Sequence, residues 1–310
     1  MGEKKMSMKK RSVQKKRFIW LFLLPTLICF SVFYLYSVVI VFVSSFMKWD
    51  YTNLNNPSFY GWKDLLTNYI YIFTKHPFFW EALRNSLLWA VIGMLVQVPL
   101  AVSVAIAFSK KLKGWKFARN VYIIPSIISS AAMGLIFLQI YNPNYGVINQ
   151  IIRVFNPDYN GAILLTPGIN FIAMTCAYIF FAGTSTIMVL GQIFAIPKEI
   201  YEAATLDGIF GWRREFYITL PMIKDTIKTI SILAATAGFL LYNEVFFLTK
   251  GAAGTKSISY IIRDLAVASS RTQYARANTI GVFQILGGML IIVCINLIFG
   301  MKKRSSKGGK

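Results

Sequence analysis

Few residues in this 310-residue chain are spaced for chemistry. It has no HExxH zinc site, no GxSxG nucleophile elbow and no dinucleotide fingerprint. Gly251-Ala252-Ala253-Gly254-Thr255-Lys256-Ser257 has the composition of a phosphate-binding loop. A true loop of that kind holds four residues between its glycines and places Lys directly after the second. This segment does neither, and it reads as a flexible turn. Cys29, Cys176 and Cys294 lie in apolar stretches with no CxxC, which points to helix packing rather than to zinc or disulfides. His76, beside Pro77, is the single histidine, and one imidazole is not a metal site. No cofactor, metal or catalytic residue is expected, and the chain is not expected to hydrolyse nucleotide itself.

Two polar groups remain. The first is Tyr242-Asn243-Glu244, set in an otherwise apolar segment. An ionisable residue there lines a solute path, sits at headgroup level or bonds a neighbouring helix. These readings stay open, and one carboxylate is thin support for an ion relay. The second group is Glu202-Ala203-Ala204-Thr205-Leu206-Asp207-Gly208, followed by Ile218-Thr219-Leu220-Pro221. Pro197 suits the first turn of a helix, because its missing N–H would be unpaired there anyway. Glu199 and Glu202 lie early in that helix, where the macrodipole favours negative charge. Ala203 and Ala204 allow another surface to approach closely. Gly208 can take the left-handed conformation that ends a helix. Helical propensity resumes through Trp212–Tyr217 until Pro221 breaks it. Helices of two to three turns are marginal in water alone, so packing against a partner would explain their persistence.

The elements that hold these groups are membrane helices. Hydrophobic residues make up 56% of the chain and charged residues only 15%, against about 25% charged in soluble domains. Six apolar stretches, near Phe18–Val43, Ser86–Phe108, Asn120–Ile140, Ile169–Leu190, Thr229–Thr249 and Thr279–Met301, approach the roughly 20 residues of a membrane span. Gln97, Gln139, Gln192, Gln284 and Asn296 lie within them, as interhelical glue or as path lining.

Charge sets the orientation. The net charge is +21. Eight Lys or Arg fall in residues 1–17, five in 302–310 and five in Ser109–Arg119. Basic residues beside spans favour the cytoplasm, so both termini and the second and fourth connections are expected there. The fifth connection strains the rule, with Lys250, Lys256, Arg263, Arg271 and Arg276 outside. Nucleic-acid binding fits the charge poorly, because the clusters abut spans where anionic lipid attracts them. The first apolar run is too long for a signal peptide and ends without a small-x-small site, so it reads as an uncleaved span.

Glu202-Ala203-Ala204, Asp207-Gly208 and Leu220-Pro221, at this spacing between the fourth and fifth stretches, resemble the cytoplasmic loop of the permease subunits of bacterial ABC importers. That loop is named for its Glu-Ala-Ala. Gly61-Trp62-Lys63-Asp64-Leu65 with Phe79–Ser86 resembles the approach to the second span in sugar permeases of the maltose and glycerol-3-phosphate type. Lys113–Trp115, Arg119, Pro125, Gly254-Thr255, Ser259-Tyr260 and Ala275–Gly281 fit the same pattern. The likeness runs from about Phe18 to Gly300. One departure is Lys224-Asp225, where family members commonly carry a second proline.

The resemblance implies an all-α membrane protein with six transmembrane helices. Its parts would be a basic cytoplasmic N-terminus (1–17), a permease domain (18–301) with a helix-turn-helix coupling loop at about 196–222, and a basic cytoplasmic tail (302–310). It implies a multi-pass protein of a bacterial cell membrane, in contact with membrane lipid. Its partners would be a second homologous permease subunit, two cytoplasmic ATP-binding subunits and an extracytoplasmic solute-binding protein. No nucleic acid is implied. The solute would be a sugar, an oligosaccharide or a sugar derivative. Coupling to the ATPase would fall to Glu202, Ala203, Ala204, Asp207, Gly208, Leu220 and Pro221, with Tyr242, Asn243 and Glu244 as candidates for the path. The competing reading is a six-span ion-coupled carrier or channel for a small solute. It needs charged or inverted-repeat features near the midplane, and none is clear. A membrane-embedded enzyme needs catalytic residues clustered at one depth, and none cluster.

Overall fold

A computed structural model describes residues 17–159, 161–268 and 271–305. The basic stretch 1–17, apart from Arg17, and the tail beyond Ser305 lie outside the described residues. α1 (Arg17–Ser44) leads into a short antiparallel pair, β1 (Met47–Lys48) and β2 (Ser58–Phe59), and then α2 (Thr67–Thr74). α3 (Phe79–Ser109) turns into α4 (Trp115–Ile127) and α5 (Ser130–Ile140). α6 (Val147–Phe155) precedes α7 (Ile169–Phe194). Next come α8 (Lys198–Leu206), α9 (residues 212–222) and α10 (Lys224–Phe239). The chain closes with α11 (Val245–Thr249), α12 (Ile258–Arg263) and α13 (Tyr274–Gly300).

Among the described residues α1, α3, α7 and α13 are each long and apolar enough to cross a bilayer, and they cover the first, second, fourth and sixth expected spans. The third and fifth expected spans are each interrupted. α4 and α5 meet at 101°, and if that bent pair is one span the number is five. Ile128 and Ser129 are extended at the bend, where the Ser129 hydroxyl accepts the Ala132 amide at 3.3 Å and so caps α5. In the fifth segment α10 ends at Phe239, and the helix resumes only at Asn243.

Small residues let the long helices cross closely, as packing in lipid requires. A Cβ at Gly238 of α10 would fall 2.3 Å from the Trp89 carbonyl oxygen of α3, and one at Gly93 would fall 2.6 Å from that of Ala234. Val102, Ala105 and Ile106 of α3, Val189 and Ile193 of α7 and Ile230 of α10 form an apolar cluster. Trp89, Met174 and Val245 belong to a second cluster, and Ile72, Phe79, Phe239 and Ile280 to a third. α1 is exposed over most of its length. Only its last turn is tied in, by Asn278 donating to the Ser44 hydroxyl (2.6 Å). The three cysteines are exposed rather than packed between helices, which corrects the expectation for them.

The connections gather at two ends. Lys110 lies 5.1 Å from the Trp212 ring centroid and Lys111 lies 5.0 Å from that of Phe194, so the basic α3–α4 turn and the α7–α10 connection share one end. At the other end Asn85 donates to the carbonyls of Gly254 (2.8 Å) and Lys256 (3.0 Å), and Asn170 donates to that of Ala253 (2.9 Å). The segment expected as a flexible turn is therefore clamped by two buried amides. Lys256 sits 3.2 Å over the Phe78 ring, and its desolvation there pulls the ammonium below the usual lysine range.

Candidate functional site

The α8–α9 loop follows the local physics of its residues. Pro197 is extended at the head of α8, and Asp207 closes it. Gly208 takes φ +73°, and the Ile209 amide reaches back to the Ala204 carbonyl at 2.8 Å. That is the return expected of a left-handed helix end. A Cβ on Gly208 would meet nothing within 4 Å, so the need for glycine there lies in the backbone alone. Residues 215–219 of α9 are wound as a π-helix just before Pro221, which has no N–H to give. The chain turns at Ile223 and α10 begins.

A polar network that the sequence reading missed closes the two helices on each other. Thr219 Oγ1 donates to Glu215 Oε2 at 2.8 Å, and the Tyr201 hydroxyl lies 3.2 Å from Thr219 Oγ1. Arg214 pairs with the other Glu215 oxygen at 3.2 Å and lies 5.1 Å from the Tyr201 ring centroid. Glu215 is 4% exposed, and a buried carboxylate must be paired and bonded in this way. The i, i+4 spacing of Glu215 and Thr219 was the one available signal. Below the network, Ile196, Ile200, Leu220 and Ile223 seat the loop on the cluster of α3 and α7.

The coupling candidates divide between two roles. Glu202, Ala203, Asp207, Gly208 and Pro221 are exposed. Ala204 is 4% exposed and faces inward. Its small side chain is packed inside the loop, while its neighbour Ala203 is the one left on the outer surface. Leu220 is half-buried, beside Pro221 in a groove of about 410 Å³ that Phe216 and Ile298 also line. The loop leaves much apolar surface open: Leu206 is 89% exposed, and Phe210, Trp212 and Tyr217 are exposed as well.

The second candidate group lies where the two interrupted segments meet. The Asn243 side chain donates to the Ser130 hydroxyl, one residue beyond the α4–α5 bend. Glu244 is 6% exposed, so its carboxyl lies against the protein and not on an open face. The Tyr242 ring stacks on Phe246, and Arg263 lies over Phe246. Irregular backbone at membrane depth is tolerated where it is buried or lines a cavity. Of the span amides, Gln97 donates to the Tyr178 carbonyl and Gln284 to the Ser259 hydroxyl, so both act as interhelical glue.

No family model matches the chain. It is similar to a probable ABC transporter permease protein, YurN, of Bacillus subtilis, with 32% identity over 273 residues covering 85% of this chain and 90% of that one. It is 26% identical to the multiple sugar-binding transport system permease protein MsmF of Streptococcus mutans, over 89% of this chain and 94% of that one. It is 25% identical to the arabinooligosaccharides transport system permease protein AraP of Bacillus subtilis, over 96% and 91%. Its fold matches a chain of a bacterial ABC transporter involved in the import of the acidic polysaccharide alginate. The TM-score is 0.79 at 20% identity, over 94% of this chain and 98% of that one.

Proposed function

The chain belongs to the permease subunits of ABC transporters, and from that premise we propose that it forms part of the membrane pathway of a binding-protein-dependent carbohydrate importer driven by ATP hydrolysis on partner subunits. The observation that carries this reading is likeness over nearly the whole chain to permeases such as MsmF and AraP, whose names state sugar transport. A second solved structure of the alginate transporter, a TM-score 0.77 match, is a complex with an oligosaccharide-bound periplasmic protein, which supports a partner of that kind. The chain is a multi-pass protein of a bacterial inner membrane. The finer reading is six spans, with the third and fifth interrupted and both termini cytoplasmic, supported by the basic α3–α4 turn. It includes the division into a basic N-terminus, permease domain and basic tail. It also includes a second permease subunit, toward which the exposed α1 would lean, and two ATPase subunits that supply the nucleotide-binding motif this chain lacks.

The α8–α9 loop is proposed as the coupling element. Its Glu215 network makes it stiff enough to transmit force, and its exposed apolar side chains await a partner. Tyr242, Asn243 and Glu244 are proposed to border the path at the two helix breaks. Vesicles bearing this chain with its neighbouring permease and ATPase subunits should take up sugar only with ATP and a loaded binding protein. Failure of any ATPase subunit to co-purify would overturn the reading. Glu244→Gln should alter transport at unchanged abundance, whereas a loss that tracks abundance would assign Glu244 to packing.

A further inference from the structure

Two elements far apart in the chain meet at the end of the molecule that carries the basic α3–α4 turn. Phe216, Leu220 and Pro221 of α9 and Ile298 and Phe299 of α13 wall a groove of about 410 Å³, and Lys224, the first residue of α10, completes it. Phe216 and Ile298 are exposed, and Leu220, Lys224 and Phe299 are half-buried. The groove is therefore apolar with a cation at its rim. No carboxylate lines it. Asp225, next to Lys224, is exposed, and neither forms an ion pair among the described residues. Glu215 of α9 is spent on Arg214 and Thr219. Lys228, one turn further along α10, adds positive charge. The helix of α13 runs on to Ser305, with Lys302 and Lys303 about one turn after Ile298 and Phe299. No Asp or Glu follows Asp264 in the chain.

The surface that leads to the groove is built for acyl chains. Leu286, Leu290, Val293 and Leu297 of α13 recur at helical spacing and are all exposed, so an apolar stripe runs along the span to Ile298. Helices that pack together in lipid present small residues or polar groups, and this stripe has neither. Asn296, beside it, donates to the Ile292 carbonyl of its own helix at 2.9 Å. Gly287, where a Cβ would fall 2.7 Å from the Phe239 ring, lies off the stripe. At the end of the span a lysine lays its stem along apolar surface and keeps its ammonium at the polar boundary. Basic residues in that position attract the phosphate of anionic lipid.

We propose that this groove holds one anionic phospholipid, with an acyl chain against Phe216, Leu220, Ile298 and Phe299 and the phosphate at Lys224. Because α9 and α13 each supply a wall, the lipid ties the proposed coupling loop to the last span. The site itself does not depend on the permease reading. The test uses the complete complex, with partner permease and ATPase subunits, in phosphatidylcholine nanodiscs. Phosphatidylglycerol or phosphatidylcholine with a photoreactive diazirine on one acyl chain is added at the same small fraction, and adducts are mapped by peptide mass spectrometry. Phosphatidylglycerol should label the peptides holding Phe216 and Ile298 well above phosphatidylcholine, and the excess should shrink as salt rises. Lys224→Gln should cut that excess about fivefold, the worth of one basic residue near an anionic surface, and Lys224→Arg should keep it. Equal labelling by the two lipids, or an excess unchanged in Lys224→Gln, overturns the inference. If p-benzoylphenylalanine in place of Phe299 captures a partner subunit, the groove is a protein contact and the inference fails. A complex that shows the excess but moves no sugar sinks only the permease reading. A transporting complex that labels equally with both lipids sinks only the lipid site.

Discussion

The α8–α9 loop and the loop after α11 use the same turn chemistry to opposite ends. Gly208 and Gly211 have positive φ in the first; Lys250, Gly251, Ala253 and Gly254 have it in the second. In the second, the chain satisfies its own polar groups. Asn85 and Asn170 take three of its carbonyls, Ser86 accepts the Ile258 amide at 3.1 Å, and the hydroxyls of Thr249 and Thr255 meet at 2.7 Å. In the first, the inside is closed by Glu215, but Leu206, Phe210 and Trp212 stand open. A loop finished by its own fold is a structural tie. A loop closed on the inside with exposed apolar side chains on the outside is the form proposed above for a docking surface.

The largest test is all-or-none. With Cys29, Cys176 and Cys294 replaced, an impermeant thiol reagent on intact cells should label Asn144→Cys and spare Leu206→Cys. Labelling of the Leu206 site would invert the two ends and remove the coupling role from the α8–α9 loop. Next in size is Asn85→Leu. It strips the donor from two carbonyls of the clamped loop and should cost about 2–5 kcal/mol, visible as a lowered melting temperature in detergent. An unshifted melt would mean the clamp adds nothing.

A contrast within the α8–α9 loop, the proposed coupling element, sharpens the comparison. Ala204→Trp overfills an inward-facing site and should destabilise by about 1–3 kcal/mol, with less protein in the membrane. Gly208→Asp forces a side chain into a left-handed turn at about 1 kcal/mol and meets open space. It should insert at normal abundance yet uncouple ATP hydrolysis from the binding protein. Equal loss of abundance in the two would erase the distinction between inner and outer faces. The smallest expected effect on stability is that of Leu206→Glu, within about 0.5 kcal/mol. Its effect should fall instead on ATPase co-purification, and undiminished co-purification would remove Leu206 from the docking surface.

The membrane class, the positions of four long helices and the form of the α8–α9 loop were all legible in the sequence. They depend on short-range physics: apolar length, a proline at a helix start, a glycine at a helix end. The interruption of the third span at Ile128-Ser129 was not legible, because Pro125 is tolerated in a membrane helix when neighbours satisfy the freed backbone. The break at Leu240–Tyr242 gave no local sign either. Its partner, Ser130, lies more than a hundred residues away in the chain.

What the sequence determined by itself was which segments are apolar, which turns are basic and where the loop helices start and stop, since each is a property of a few neighbouring residues. Which way a side chain faces was decided only by the tertiary structure. Ala203 and Ala204 are adjacent and identical in type, yet one is exposed and the other buried. The helix turns about 100° between them, and only the packing of Ile200 and Leu220 onto α3 and α7 says which side of the helix is inside. The same holds for Glu215 and for Asn85. A polar residue in an apolar chain is either exposed or partnered, and its partner, when it comes from a distant segment, exists only once the chain has folded.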